Sequence, residues 1–234
     1  MLWWFVAELA DTPRLFPSPA GVIAVWWREL FSGALPANIG ITLARVILAF
    51  IISMILGTTG GYMAGRSPRV NAWLDPWLIV ALNLPVLVVV VLIYIWVGLN
   101  ETAAILSVVI AKTPAIMVTV REGARSLRPD LEDLARVYRI PPLRRLRAIV
   151  LPQLAPFIVA AARAGLSITW KIVLIVELLG RPNGVGFVLN LFFQNFDVAG
   201  ILAYGLTFAG MMLFAEAALL QRWERRAFAW RSAA

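Results

Sequence analysis

Cysteine and histidine are both absent from this 234-residue chain. Disulfides, thiolate or imidazole metal ligands and a histidine general base are therefore excluded. Charge is sparse too: Asp, Glu, Lys and Arg make up 15% of residues, against roughly 25% in a soluble domain. No glycine-rich loop ends in Lys-Ser or Lys-Thr, so the chain cradles no nucleotide phosphate in that way. Any ATP that drives it must be hydrolysed by another chain. The few carboxylates are scattered, and a catalytic pair could assemble only in three dimensions, from Glu101, Glu177 and Glu216.

Apolar residues are abundant, at 61%. Several runs approach the ~20 residues that cross a ~30 Å hydrocarbon core, which predicts an all-α integral membrane protein. Five spans are expected, at Ile39–Ala64, Ala72–Val97, Thr102–Val120, Ala155–Leu179 and Val198–Leu220. Residues 1–38 hold two shorter apolar pieces, broken by prolines and charges. Trp3, Trp4, Trp26 and Trp27 suit the membrane–water boundary, so this segment reads as interfacial and residues 39–234 as the membrane domain. The start, "MLWWFVAELADTPRLF", lacks the basic leading region of a secretory signal.

The arginines cluster. Arg66 and Arg69 follow span one, Arg121 through Arg147 follow span three, and Arg222 through Arg231 follow span five. These loops share one side if each span crosses once, and the positive-inside rule makes that side cytoplasmic. Aromatic residues do not interleave with the arginines as base stacking would need, so nucleic acid is not an expected partner, whereas membrane lipid is. Within span one, Ser53, Gly57, Gly61 and Gly65 recur every fourth residue. Such a ridge lets another backbone approach closely, a reading preferred to one that places substrate against it.

The segment "DLARVYRIPPLRRLRAIVLPQLAPF", residues 133–157, is too polar to cross. Asp130–Arg139 reads as helix, and "IPP" breaks it because proline removes a donor and restricts the residue before it. Leu143, Leu146, Ile149 and Val150 recur at helical spacing, and Pro152 is expected to end that second piece. Two short helices along the cytoplasmic surface fit this pattern, one side on the membrane domain and the other toward a partner. An ordinary basic loop that holds topology fits the charge equally well.

Here the chain resembles a known family. Asp133-Leu134-Ala135, Arg139 and Leu151-Pro152 stand where the permeases of binding-protein-dependent ABC transporters carry Glu-Ala-Ala, glycine and Leu-Pro. "LARVILAF", "LGTTGGYMAG", "LDPWLIVALNLP", "VREGARSL", "ARAGLSITWKIVLIVELLG" and "GVGFVLN" follow in the family's order, most like the subgroup that takes up nitrate, sulfonates and taurine. Leu134 makes the docking face bulkier than the usual alanine, and Arg139 puts a long cation at a normally tight turn. The family has one further helix ahead of "WWFVAEL", which this sequence does not show.

The resemblance implies a type I ABC importer transmembrane domain with a cytoplasmic coupling loop, residues 122–152. It implies a second permease copy, two ATP-binding subunits carrying ATP and Mg, and an extracytoplasmic solute-binding protein. No cofactor or metal is expected on this chain, and no enzymatic activity. Coupling to the ATPase would fall to Asp133, Leu134, Ala135, Arg136, Arg139, Pro141, Arg144, Arg145, Leu151 and Pro152. The transmembrane scaffold of energy-coupling-factor vitamin uptake systems is the rival, but it would show two separate arginine-bearing coupling helices. The location is the bacterial inner membrane.

Polar residues inside spans mark the candidate pathway, because a charge at mid-bilayer costs about 2.5–3.5 kcal/mol on insertion scales. Lys112, beside Thr113 and Pro114, either attracts an anion or is satisfied by snorkelling or by a carboxylate in the bundle. Lys171 and Glu177 follow Trp170 in span four and lie on different faces, so they are not expected to pair. Glu177 suits a gate or a structural hydrogen bond. Asn83 and Pro85 interrupt span two and predict a kink, and "RPNGVGFVLNLFFQNFD" predicts a small outer helix too short to cross.

Overall fold

The computed structural model describes Trp3, Trp4, Ala7 and residues 15–215. Glu216 and the basic stretch Arg222–Arg231 lie outside the described residues. Among the described residues all regular structure is helical. The helices are α1 (Pro19–Phe31), α2 (Ala34–Arg66), α3 (Pro68–Asn83), α4 (Val86–Val97), α5 (Glu101–Arg125), α6 (Pro129–Val137), α7 (Pro142–Gly180), α8 (Val185–Gln194) and α9 (Val198–Ala215). They form two compact units. Of the described residues, unit 1 comprises those up to Ala49, Val90–Val108 and Trp170–Phe214; unit 2 comprises Phe50–Val89, Val109–Thr169 and Ala215.

Local chemistry sets most helix ends. Ser18 caps α1 by accepting from the Gly21 N–H at 3.2 Å, with Pro19 in the first turn where its missing N–H costs nothing. Ser67 caps α3 in the same way ahead of Pro68, and Asn100 accepts from the Ala103 N–H at 2.8 Å to open α5. The first span is longer than its expected Ile39–Ala64. It begins at Ala34, just after Gly33 turns with φ of +81°, and Pro36 falls in its first turn, where proline is tolerated.

The second span is broken rather than merely kinked. Pro85 has no N–H to continue α3, and the chain turns by 101° between α3 and α4. Leu84 is extended at the break, while Asn83 returns its side-chain amide to the Ile79 carbonyl at 2.8 Å. Pro114 lies inside α5 without stopping it.

The basic insert departs from expectation at its second half. α6 stands alone, but Pro152 does not end the next piece, because α7 runs without interruption through 39 residues. Leu146–Val150 form a wide π turn in which the Leu151 N–H bonds to the Leu146 carbonyl. The extra residue in that turn gives the Pro152 ring the room that an α-helix would deny it. The Gln153 side chain caps the Ile149 carbonyl at 2.9 Å. The insert is thus one short helix plus the amino-terminal end of a long one.

In unit 2 the small-residue ridge of α2 meets α5. A Cβ on Gly57 would lie 2.5 Å from the Ile116 side chain, one on Gly61 2.5 Å from the Met117 carbonyl oxygen and 2.9 Å from Val120, and one on Gly65 2.5 Å from Ala124. Residue numbers rise together along both helices, so α2 and α5 run parallel with a constant offset of 59. The core beside this contact groups Ile116, Val120 and Ala161, then Ala124, Leu127, Val150 and Leu154. In unit 1, α1 is fastened to α9: the Trp26 indole donates to Thr207 at 2.9 Å, and the Tyr204 hydroxyl donates to Glu29 at 3.1 Å.

Gly61→Leu should lower the thermal midpoint of the detergent-purified protein by several degrees, because overpacking typically costs about 1–3 kcal/mol. Gly40→Ala, where a Cβ would meet nothing within 4 Å, should leave the midpoint unchanged or raise it. Differential scanning fluorimetry of the two variants side by side checks the contrast.

Candidate functional site

α6 has two dissimilar faces. Glu132 and Ala135 are buried, while Asp133, Leu134, Arg136, Val137 and Tyr138 are exposed. Glu132 accepts from Arg66 at the end of α2 and forms an ion pair with Arg145 at the start of α7, the latter at 3.3 Å. One carboxylate therefore ties α6 to the ends of two spans. On the outer face Arg136 pairs with Asp133 at 3.5 Å, leaving Leu134, Val137 and Tyr138 without cover. At the amino end the Arg128 guanidinium holds the Asp130 carboxyl below the ordinary carboxylate range.

α6 stops in a Schellman turn. The Arg139 N–H bonds to the Arg136 carbonyl, and the Ile140 N–H reaches back to the Ala135 carbonyl at 2.9 Å. Arg139 takes φ of +48° there, the left-handed conformation that glycine adopts without strain. Pro141, Arg144, Leu151 and Pro152 are exposed on the same unit, and Leu143 is 61% exposed. Arg145 differs from Arg144, since it is half-buried, bound to Glu132, and lines a cavity of about 180 Å³ with Tyr62, Pro142, Leu146 and Val150.

The candidate pathway residues divide between the units. Asn83, Pro85 and Lys112 belong to unit 2; Trp170, Lys171 and Glu177 belong to unit 1. Asn83 and Pro85 are exposed at the α3–α4 break. Lys112 is 4% exposed, with no carboxylate partner among the described residues. Lys171 is exposed with its ammonium 5.5 Å from the centre of the Trp170 ring, and it does not meet Glu177.

Glu177 belongs to a buried polar centre in unit 1 whose hub is Arg45. The Arg45 guanidinium is bidentate to Glu101 at 2.6 and 2.9 Å, and binds Glu177 at 2.7 Å and the Asn183 carbonyl at 3.0 Å. The Asn183 side chain takes its remaining N–H. All five donors of the guanidinium are used. Glu177 also accepts from Thr42 and from the Gly186 N–H, each at 2.9 Å, and Thr42 accepts from the Val185 N–H. Arg181 adds a second cation, binding Glu101 at 2.8 Å and the Leu99 carbonyl at 3.0 Å.

This centre explains "RPNGVG". Gly184 has φ of +100°, and a Cβ on it would lie 2.4 Å from the Glu177 carboxylate; one on Gly186 would lie 2.3 Å from the Leu174 carbonyl. Ala49, Ala104, Val108, Val173 and Val176 pack around Arg45 with no water-sized space. Two arginines balance two glutamates, so Glu101 and Glu177 do meet, but as a neutralised structural pair and not as an acid–base couple. Among the described residues no cluster of acids could hold a metal ion.

Residues 56–222 match the family described as "Binding-protein-dependent transport system inner membrane component". The chain belongs to that family. Over 99% of its length the permease is 27% identical to a protein named for aliphatic sulfonates transport, SsuC of Bacillus subtilis (strain 168), spanning 84% of that relative. It is 26% identical to the taurine transport system permease protein TauC of Escherichia coli (strain K12), over 94% of the chain and 80% of the relative. It is 30% identical to the bicarbonate transport system permease protein CmpB of Synechococcus elongatus, over 78% and 66%.

The fold agrees. An amino acid ABC transporter crystal structure superposes with a TM-score of 0.67 at 19% identity, covering 85% of the permease and 96% of that chain. The inward-facing MetNI methionine ABC transporter gives 0.69 at 16% identity, covering 83% and 98%. The permease is thus a type I ABC importer transmembrane domain, a multi-pass protein of the bacterial inner membrane with four helices long and apolar enough to cross among the described residues, five if the bent pair α3–α4 counts as one span. The vitamin-uptake scaffold is not the family matched.

Sequence reasoning missed Arg45, Thr42, Asn183 and Glu132. The available signal for Arg45 was an arginine inside an apolar span, which must be paired there. Glu132 gave no signal beyond one acid among several.

Arg45→Ala should cost about 3–5 kcal/mol, because it leaves the fully buried Glu177 carboxylate without its charge partner. The expected readout is a collapse in the yield of monodisperse protein, with Arg45→Lys only partly better since an ammonium cannot be bidentate. Arg139→Gly should do the opposite and stabilise the α6 turn by about 1 kcal/mol, seen as slower amide exchange in residues 129–140.

Proposed function

We propose that the permease works with a second copy of itself, two ATP-binding subunits that carry ATP and Mg, and an extracytoplasmic solute-binding protein. Its cargo is a small anionic solute. The relatives named for sulfonates, taurine and bicarbonate share an oxyanion head, and Lys112 is a buried cation with no carboxylate beside it.

One observation carries the coupling role: the outer face of α6 is apolar and uncovered, while its inner face is bolted down. Leu134, Val137 and Tyr138 are 49%, 78% and 72% exposed in a segment too polar to enter lipid. They offer an ATP-binding subunit a knob to grip, with Arg144 and Arg136 beside it. Beneath them Glu132 links α6 to Arg66 of α2 and to Arg145 of α7. Closure of the ATPase pair would therefore move span ends and not merely bend a loop. α7 strengthens the lever, since its 39 helical residues run without interruption from the docking surface into the span. Alternating access needs two packed states only a few kcal/mol apart, and such a helix lets docking energy choose between them.

The test is co-purification with the ATP-binding subunit encoded alongside. Leu134→Asp and Arg144→Glu should each reduce recovery of that subunit at least tenfold while membrane insertion stays normal. Glu132→Gln should retain the subunit and its ATP hydrolysis yet lose solute uptake. Undiminished recovery with both outer-face variants would defeat the docking role.

A further inference from the structure

We infer that Lys112 and Ser53 together form a two-donor site for a singly charged oxyanion, at the meeting of α2, α5 and α7 in unit 2. Calling that oxyanion the carried solute rests on the permease reading above; the site itself rests on geometry.

The first observation is Ser53. Its hydroxyl is fully buried and has no hydrogen-bond partner. Five other helical hydroxyls behave differently: Ser107, Thr113, Thr119, Thr169 and Thr207 each donate to the carbonyl four residues back, at 2.6 to 3.1 Å. That local bond is always available to a serine in a helix. Ser53 forgoes it, so its donor is free for something else.

The second observation is Lys112, a residue 4% exposed with neither a hydrogen bond nor an ion pair among the described residues. A charge taken out of water is costly unless it is paired. The two groups lie at one level. The offset that sets Gly57 against Ile116, Gly61 against Val120 and Gly65 against Ala124 sets Ser53 against Lys112 one turn earlier.

The third wall is α7, which passes at Gly165. A Cβ there would lie 3.3 Å from the Phe50 ring and 3.7 Å from Cε of Lys112, so glycine leaves a methyl-sized space against the lysine stem. The neighbouring hydroxyls of Thr113 and Thr169 are already committed to their own helices. What remains is one positive charge and one neutral donor. That pair neutralises a sulfonate, carboxylate or bicarbonate head and leaves a doubly charged sulfate with an unbalanced charge in low dielectric.

The experiment uses the purified full chain in detergent, with methanesulfonate, sulfate and chloride as probes at matched ionic strength. Methanesulfonate should raise the wild-type thermal midpoint by about 2–4 °C, with sulfate and chloride giving less. Lys112→Met should abolish the shift, and should raise the midpoint without anion because it removes an unpaired buried charge. Ser53→Ala should weaken the apparent affinity at least tenfold while leaving the fold intact, since this position belongs to the small-residue ridge. A methanesulfonate shift that persists in Lys112→Met, or no shift in the wild type, overturns the site. An equal shift with sulfate overturns its preference for a single charge. Uptake separates the two readings: if Lys112→Met loses binding but transports anionic and neutral solutes as before, the site stands and the anionic-cargo reading falls.

Discussion

Backbone contact between α2 and α5 is the constraint on which the rest depends. Small residues at every fourth position of α2 let α5 lie against it, and the clash that any Cβ would make at Gly57, Gly61 or Gly65 allows little freedom. Because the helices run parallel in unit 2, one offset relates them there, and one turn before Gly57 it sets Ser53 against Lys112, where two unpaired groups meet. Without a hydrophobic driving force between helices in lipid, such close packing and a few buried hydrogen bonds are what hold spans together.

The two polar features follow opposite logic. Every N–H of the Arg45 guanidinium has an acceptor and the charges cancel, so the centre acts as a fastening that holds the "RPNGVG" turn and the start of α8 in place. At Lys112 and Ser53 neither group is satisfied. Buried polar groups are normally paired, and Ser53 leaves its whole hydroxyl without a partner. At the insert, Glu132 plays a third part, turning a surface helix into a piece of the membrane domain.

Much of the plan was legible in the sequence. The long apolar runs, the arginine clusters between them and the proline-marked insert predicted helices, spans and a polar surface segment, because length, hydropathy and proline act locally. The small-residue ridge was equally readable. Pro152 was misread because proline breaks an α-helix, whereas a wide turn just before it absorbs the ring and lets α7 continue. Pro85 was read as a kink and proved to be a 101° break, since the size of a bend depends on what the freed ends pack against. Arg144 and Arg145 looked alike as neighbours, yet one faces outward and the other grips Glu132.

The sequence by itself determined the class, the family and the places of the long apolar helices, since those follow from how each stretch partitions between water and lipid. Only the tertiary structure decided which charges are partners. Arg45 meets Glu101 and Glu177 across 56 and 132 residues of chain, and Glu132 meets Arg66 across 66. Pairing at such separations is set by helix packing and register, which no local pattern of residues encodes.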